Sequence, residues 1–103
     1  MLALEAARHD DGSVIALMGE LDLCGASELE TALDVCARDH DGRSIVIDLC
    51  DVRFIDVAGL HSLRRGCGAL VEMGHVVFVR RARAQVQRVF ELTHTTELFP
   101  FIG

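Results

Sequence analysis

Residues 45–60 read IVIDLCDVRFIDVAGL, and this stretch decides the predicted fold. Its first five residues, Ile45–Leu49, are apolar except for Asp48, which is typical of a strand that is covered on both faces or leads into a site. Phe54–Ile55 then lead to Asp56, whose side chain is suited to cap the first backbone donors of a helix. The stretch therefore predicts a buried strand followed by a helix.

The chain beyond this stretch continues to alternate between helices and strands. Gly74 is placed to end the helix that begins after Asp56. A strand is predicted over Val76–Val79, a helix over about Arg83–Thr93, and a short strand over Leu98–Ile102, which Pro100 confines to an edge of the sheet. The positions predicted to face the core from these two helices are Leu60, Leu63, Cys67, Leu70, Val71, Val86, Val89 and Phe90.

The N-terminal part of the chain predicts a hairpin and a helix. Strands are predicted over residues 2–8 and 13–18, joined by a turn at Asp10–Gly12. A capping box over Ser27–Glu30 predicts the start of a helix, because each side chain of such a pair satisfies a backbone donor. We expect that helix to stop at residues 39–42. Its predicted inward positions are Leu29, Leu33, Cys36 and Ala37.

The predicted order β-β-α-β-α-β-α-β indicates an α/β fold. It implies a mostly parallel mixed sheet with an antiparallel N-terminal strand and crossover helices. A chain of 103 residues is too short to build two adequate cores, so we expect a single domain over residues 1–103. The composition, half hydrophobic and one quarter charged, is that of a globular protein and excludes a disordered chain.

Charge and hydropathy narrow the class of partner. The formal net charge of −6 disfavours direct binding to nucleic acid. No apolar run approaches the roughly 20 residues of a membrane-spanning helix, and no export signal is visible, so we expect a cytoplasmic protein without membrane insertion. Residues 1–63 hold thirteen acidic residues and four arginines, whereas residues 64–103 hold three and six. Such a dipolar chain could steer a basic partner toward its acidic side.

Enzymatic chemistry is poorly supported by the sequence. The carboxylates that follow predicted strands suggest a magnesium site or a phosphoacceptor, but a receiver-type phosphoacceptor needs a lysine and this chain has none. No serine stands in a nucleophile elbow, and no glycine-rich phosphate loop joins a strand to a helix. We therefore expect no catalytic activity, metal or cofactor. The side chains at these predicted strand ends are Glu20, Asp22, Asp48, Cys50, Asp51 and Asp56.

The four cysteines match no metal-binding spacing. Cys36 and Cys67 fall on the apolar faces of predicted helices, where packing explains them. Cys24 and Cys50 each follow a predicted strand and could meet at one end of the sheet, so a redox pair there is the alternative to two unrelated thiols.

Two motifs together resemble a known family. The segments Ile45–Leu49 and Phe54–Leu60 resemble the signature of the anti-sigma factor antagonists, the STAS family. Met18–Asp22 resembles that family's second hallmark, and the likeness extends from about Val14 to Phe99. The resemblance implies the STAS fold and a module that binds another protein. Antagonists of this family bind an anti-sigma factor that is also a serine kinase, and so release a sigma factor for transcription.

The sequence departs from the family at the position where the kinase acts. In the family, one or two hydroxyl residues stand at the start of the second helix, whereas this chain has Val57 and Ala58. Neither side chain can accept a phosphate, and the nearest hydroxyl is that of Ser62, one turn further into the helix. We therefore expect an antagonist that phosphorylation does not switch. The alternatives are a protein repurposed as a scaffold or decoy, and a deliberate replacement of the serine that mimics the unphosphorylated state.

The resemblance also implies where a partner would dock. The expected contacts are Asp22, Leu23 and Ser27 at the first helix, and Asp56, Val57, Ala58, Leu60 and His61 at the second. The alternative is an accessory or scaffold subunit of a lipid-transporter or stress-signalling complex, a role that STAS-like modules also serve. Whether the chain acts as a monomer or a homodimer stays open at this point.

Overall fold

The computed structural model describes residues 1–9, 12–38 and 44–102. The predicted turn at Asp10–Gly12 lies partly outside these residues, and the predicted helix stop at 39–42 lies wholly outside them, as does the side chain of Ala37. In chain order the elements are β1 (Leu2–His9), β2 (Gly12–Leu21), α1 (Leu23–Arg38), β3 (Ser44–Ile55), α2 (Val57–Glu72), β4 (Val76–Arg80), α3 (Ala84–Leu92), a 3-10 helix (Thr96–Leu98) and β5 (Phe101–Ile102).

The strands form one sheet in chain order, β1-β2-β3-β4-β5. β1 is antiparallel to β2, and every later neighbour is parallel. This arrangement confirms the predicted α/β class and the antiparallel N-terminal strand. β3 is longer than predicted: it continues past Leu49, with Val52 and Ile55 also buried, until it reaches Asp56.

The three helices cover one face of the sheet. Right-handed crossovers that all step in the same direction along a sheet place their helices on the same side. Consistent with this, alternate side chains of the strands share a single core with the apolar residues of α1, α2 and α3. Fully buried members of that core include Ile15, Leu17, Ile45, Ile47, Val79, Leu29, Leu33, Leu63 and Phe90.

The predicted capping box over Ser27–Glu30 is wrong. α1 begins at Leu23, so Ser27 lies inside the helix and is exposed. The capping side chain is Asp22, which follows β2 directly and accepts a hydrogen bond from the backbone N of Gly25 at 3.1 Å. In this chain the cap nearest the strand end prevails, and the additional turn before Ser27 adds backbone hydrogen bonds and buries Ala26.

Two predictions near the C-terminus also need correction. Val71 is exposed rather than inward, because the buried side of α2 ends at Leu70 and Val71 lies about 100° further around the helix. The last strand is only Phe101–Ile102, since Thr96–Leu98 forms a 3-10 helix instead. Pro100 lies between these two elements, as its missing N–H would lead one to expect.

Candidate partner-binding surface at two helix starts

The starts of α1 and α2 lie side by side. β2 and β3 are parallel neighbours whose last residues, Leu21 and Ile55, are paired in the sheet. Each strand passes into its helix through a single aspartate, Asp22 or Asp56. The backbone N of Asp56 donates to the carbonyl oxygen of Leu21 at 3.3 Å, which joins the two strand ends. The topology therefore brings both helix N-termini to one edge of the sheet.

Both helix starts have the same four-residue pattern, Asp-apolar-small-Gly. It occurs as Asp22–Gly25 and again as Asp56–Gly59. In each case Oδ1 of the aspartate accepts from the backbone N of the glycine, at 3.1 Å in the first and 2.8 Å in the second. The cap at Asp56 was predicted and is confirmed. The cap at Asp22 was missed, although the repeated pattern after a strand is a signal that could have revealed it.

The carboxylate of Asp56 also reaches the neighbouring helix. Its second oxygen, Oδ2, accepts from the backbone N of Leu23 at 3.3 Å. One negative side chain thus satisfies donors at both helix N-termini, where the helix dipoles favour negative charge. This contact holds the two helix starts in a defined relative position.

Gly59 makes the close approach of α2 to β2 possible. A Cβ atom at this position would overlap the backbone carbonyl oxygen of Leu21. Since a backbone atom at a strand end cannot move aside easily, only glycine fits here without displacing the helix. The position of α2 relative to the end of β2 therefore depends on this residue.

Three large apolar side chains remain exposed around these caps. The exposed fraction is 74% for Leu23, 57% for Val57 and 51% for Phe54. Leu23 and Val57 are the first residues of their helices, and Phe54 lies two residues before Asp56 on β3. We call these three residues, together with Asp22 and Asp56, the docking surface. Sequence reasoning missed Phe54, whose exposure depends on its facing away from buried Ile55.

The remaining expected contacts are divided between surface and interior. Ser27 and His61 are exposed and Ala58 is partly exposed. Leu60 is only 2% exposed and belongs to the core, so its side chain is not available to a partner. Ser62 is fully buried, and its Oγ donates to the backbone oxygen of Ala26 at 2.6 Å.

Comparison with protein families gives a clear result. A family model described as "Mlab, STAS domain" matches residues 4–100. The chain belongs to the STAS domain family. This match covers nearly the whole sequence and confirms the family resemblance seen in the two motifs.

Solved structures similar to this STAS domain include anti-sigma factor antagonists. One, from Mycobacterium paratuberculosis, is 29% identical with a TM-score of 0.82, and the match covers 98% of this chain and 85% of that chain. SpoIIAA in its unphosphorylated form is 16% identical with a TM-score of 0.75, over 98% and 89% of the two chains. SpoIIAA of Bacillus in its phosphorylated form is 15% identical with a TM-score of 0.66, over 98% and 92%. The two SpoIIAA matches show the shared fold.

Three of the strand-end carboxylates of the STAS domain pair with arginines, while Asp22 and Asp56 cap helices. In the described residues no three His, Cys, Asp or Glu side chains are grouped as a metal site requires. The magnesium site weighed from the sequence therefore has no structural support in this part of the chain. The three pairs are Glu20–Arg53, Asp48–Arg80 and Asp51–Arg83.

Asp48 is the most closely held of these carboxylates. Partial burial raises its pKa, but hydrogen bonds from Cys50 and Arg80 outweigh that effect and hold the pKa of Asp48 below its usual range. Its Oδ2 accepts from Arg80 at 2.9 Å, and its Oδ1 accepts from the backbone N of Cys50 at 2.9 Å. These bonds stabilise the charged form and leave the group poorly suited to take up a proton.

The four cysteines are free thiols. Burial raises the pKa of the Cys67 thiol to about 12, in agreement with a packing role. The hydrogen bond with Asp48, together with partial burial, raises the pKa of Cys50. A raised pKa lowers the thiolate fraction, so the surroundings of Cys50 do not favour the redox pairing with Cys24.

Among the described helices, none has the length and apolar character needed to span a membrane.

Proposed function

We propose that this STAS domain is an anti-sigma factor antagonist that binds a kinase-type anti-sigma factor through the docking surface and thereby releases a sigma factor. The observation that carries the proposal is the exposure of Leu23, Phe54 and Val57 around two capped helix starts. The 29% identity to an anti-sigma factor antagonist over 98% of the chain supports it.

The docking surface has the physical properties of a protein interface. Its apolar side chains lie on helix and strand ends that the carboxylate of Asp56 holds in place, so little ordering entropy would be lost on binding. Large apolar anchors of this kind commonly provide most of the binding energy of an interface. The excess of acidic residues over arginines in residues 1–63 would favour approach by a basic partner surface.

The same region explains why we expect no phosphorylation switch. Val57 and Ala58 carry no hydroxyl group. Ser62 has one, but it is fully buried and its Oγ already donates to Ala26. A kinase could reach it only after α1 and α2 had separated. We infer that the antagonist is constitutively competent to bind.

The first test measures binding of the purified anti-sigma factor to the wild type and to Ala58→Glu by calorimetry. The substitution places a charge among the apolar contacts, so we expect at least about tenfold weaker binding. Val35→Glu is the matched control, because Val35 is also exposed on a helix but lies three turns from the start of α1. Equal affinity for the Ala58→Glu variant, the control and the wild type would move the contact surface elsewhere.

The second test exposes the protein to the kinase and ATP and locates phosphate by mass spectrometry. We expect no phosphate on residues 56–63 of the wild type, and phosphate uptake by Ala58→Ser, which restores a partly exposed hydroxyl at the start of α2. A stoichiometric phosphate within residues 56–63 of the wild type would contradict the proposed insensitivity.

A second candidate function is an accessory or scaffold subunit of a lipid-transporter or stress-signalling complex. The observation that favours it is the pair Val57 and Ala58, since a subunit held permanently in a complex needs no phosphorylation switch. Partners recovered from the source organism and identified by mass spectrometry separate the two functions. A kinase-type anti-sigma factor supports the antagonist, and a transporter ATPase or stress-complex subunit supports the accessory role.

A further inference from the structure

The face of the sheet opposite the helices carries side chains that no helix covers in the described chain. We call it the open face, and its residues follow from the pairing of neighbouring strands across β1, β2, β3 and β4. Its first row is Ala7, Val14, Val46 and Phe78, and its second row is Glu5, Ala16, Asp48 and Arg80.

The first row is entirely apolar. Phe78 is 36% exposed, and Val76, in the next position of β4 on the same face, is also exposed. Val14 and Val46 are partly exposed, and neither of them packs against the core. A continuous apolar strip of this kind on a sheet face without a helix over it is typical of an interaction surface.

The second row carries opposite charges at its two ends. Glu5 on β1 is exposed and forms no ion pair with the described residues. Arg80 on β4 is also exposed, and its Nη1 pairs with Oδ2 of Asp48. Glu5 and Arg80 lie three strands apart, at a distance of roughly 14 Å. Between them are Ala16, which is neutral, and Asp48, which is already paired with Arg80.

We propose that the open face is the interface of a homodimer in which a second copy packs sheet against sheet. The two-fold axis runs parallel to the strands and between β2 and β3. It places β1 of one copy over β4 of the other and β2 over β3. Since this axis does not change the position of a row along the strand direction, Glu5 then lies opposite Arg80 of the second copy.

The surface is complementary to itself under this symmetry. In the apolar row, Ala7 lies opposite Phe78 of the second copy, so a small residue leaves room for a large one. Val14 lies opposite Val46, which are equal in size. A two-fold axis makes every contact occur twice, so the dimer contains two pairs of Glu5 with Arg80 of the other copy, both in the row next to the apolar strip. A two-fold axis that ran across the strands would instead invert the rows and lose this match.

The available area is sufficient for a reversible dimer. The four strands span roughly 19 Å at about 4.8 Å per strand, and the length of β1 spans roughly 26 Å at about 3.3 Å per residue. Two copies would together cover about 1,000 Å², which is near the lower bound for a specific interface. We therefore expect a dissociation constant on the order of 10–100 µM rather than an obligate dimer.

The dimer would leave both docking surfaces free. Val46 is close to the start of β3, whereas the docking surface lies around its end at Ile55. Even at the far end of β1, where Leu2 pairs with Gly19 and Gly19 with Val52, the interface stops two residues before Phe54. Leu23 and Val57 begin helices that pack on the other face of the sheet. Binding of an anti-sigma factor and self-association are thus separate properties, and the failure of either proposal would not decide the other.

Sedimentation equilibrium over roughly 1 µM to 1 mM protein tests the dimer. We expect the wild type to shift from the monomer mass to twice that mass, and Phe78→Glu to raise the dissociation constant at least about tenfold. Leu92→Glu is the matched control, because Leu92 is exposed on α3, on the helix side of the molecule. A monomer mass over the whole range would overturn the proposal, as would equal dimer constants for the wild type, Phe78→Glu and the control.

Glu5→Arg provides a test that does not depend on the apolar strip. Glu5 has no ion-pair partner in its own described chain, so this change should leave the thermal unfolding midpoint unaltered. In the dimer it would place two like charges opposite Arg80, and we expect about threefold to tenfold weaker association. Unchanged association of a folded Glu5→Arg variant would overturn the proposed axis.

Discussion

The two helix starts share a sequence pattern but differ in structural role. Asp22–Gly25 and Asp56–Gly59 each cap a helix in the same way, by a bond from the glycine N to the aspartate. Only Asp56 also binds the other helix, through the backbone N of Leu23. The same local pattern can therefore begin a helix at two places. Tertiary contacts decide that only the aspartate at the start of α2 also binds the start of the other helix.

The glycines at these two helix starts, Gly25 and Gly59, also differ in how closely other atoms approach them. A Cβ atom at Gly25 would lie 3.2 Å from Cβ of Leu2, which is tight but would be relieved by a shift of a few tenths of an ångström. A Cβ atom at Gly59 would overlap the backbone oxygen of Leu21. The start of α2 is thus packed against a strand end, whereas the start of α1 is packed mainly against a side chain.

The largest expected difference is between Gly59→Ala and Gly25→Ala. We expect Gly59→Ala to lower the free energy of unfolding by roughly 3 kcal/mol, because α2 must move away from the end of β2. Gly25→Ala should stay within about 1 kcal/mol of the wild type, since gained helix propensity offsets the tight contact. Urea unfolding followed by circular dichroism measures both. Equal losses for the two variants would show that the starts are packed alike.

The next difference is between Asp56→Ala and Asp22→Ala. Loss of a single cap should cost about 1 kcal/mol for Asp22→Ala, and loss of the cap together with the bond to Leu23 about 2 kcal/mol for Asp56→Ala. The matched variants Asp56→Asn and Asp22→Asn keep a capping oxygen and should recover most of the stability. A cost for Asp22→Ala that equals or exceeds that for Asp56→Ala in the same urea titrations would reverse the comparison.

The smallest expected effect on stability comes from the exposed first residues of the helices. Leu23→Ala and Val57→Ala should each change the free energy of unfolding by less than about 0.5 kcal/mol, because both side chains lie mostly in solvent. Binding of the anti-sigma factor should nevertheless weaken by roughly tenfold for each. If only one variant weakened binding in calorimetry, the docking surface would be centred on that helix alone.

Much of the fold could be read from local patterns. The order of elements, the cap at Asp56 and the helix end near Gly74 follow from residues that are close in sequence. The wrong capping box over Ser27–Glu30 shows the limit of this reasoning, because the sequence carried two cap signals and only the position of the strand end decided between them.

The candidate site was predicted only in part, for a related reason. Exposure of Leu23 and burial of Leu60 cannot be distinguished by residue type, since both are leucines near a helix start. Their surroundings differ because Leu60 faces the sheet, while Leu23 lies beyond its edge. Phe54 was not predicted to be a partner contact, because an aromatic residue in a strand usually belongs to the core.

The sequence alone determined the family, the α/β class and the absence of a hydroxyl at Val57 and Ala58, because each of these depends on which residues are present and in what order. The tertiary structure alone decided that Asp56 holds both helix starts, that Ser62 is buried against α1, and that no helix of the described residues covers the second face of the sheet. These features depend on contacts between residues more than thirty positions apart, or on the order of strands in space, and local propensities contain no information about either.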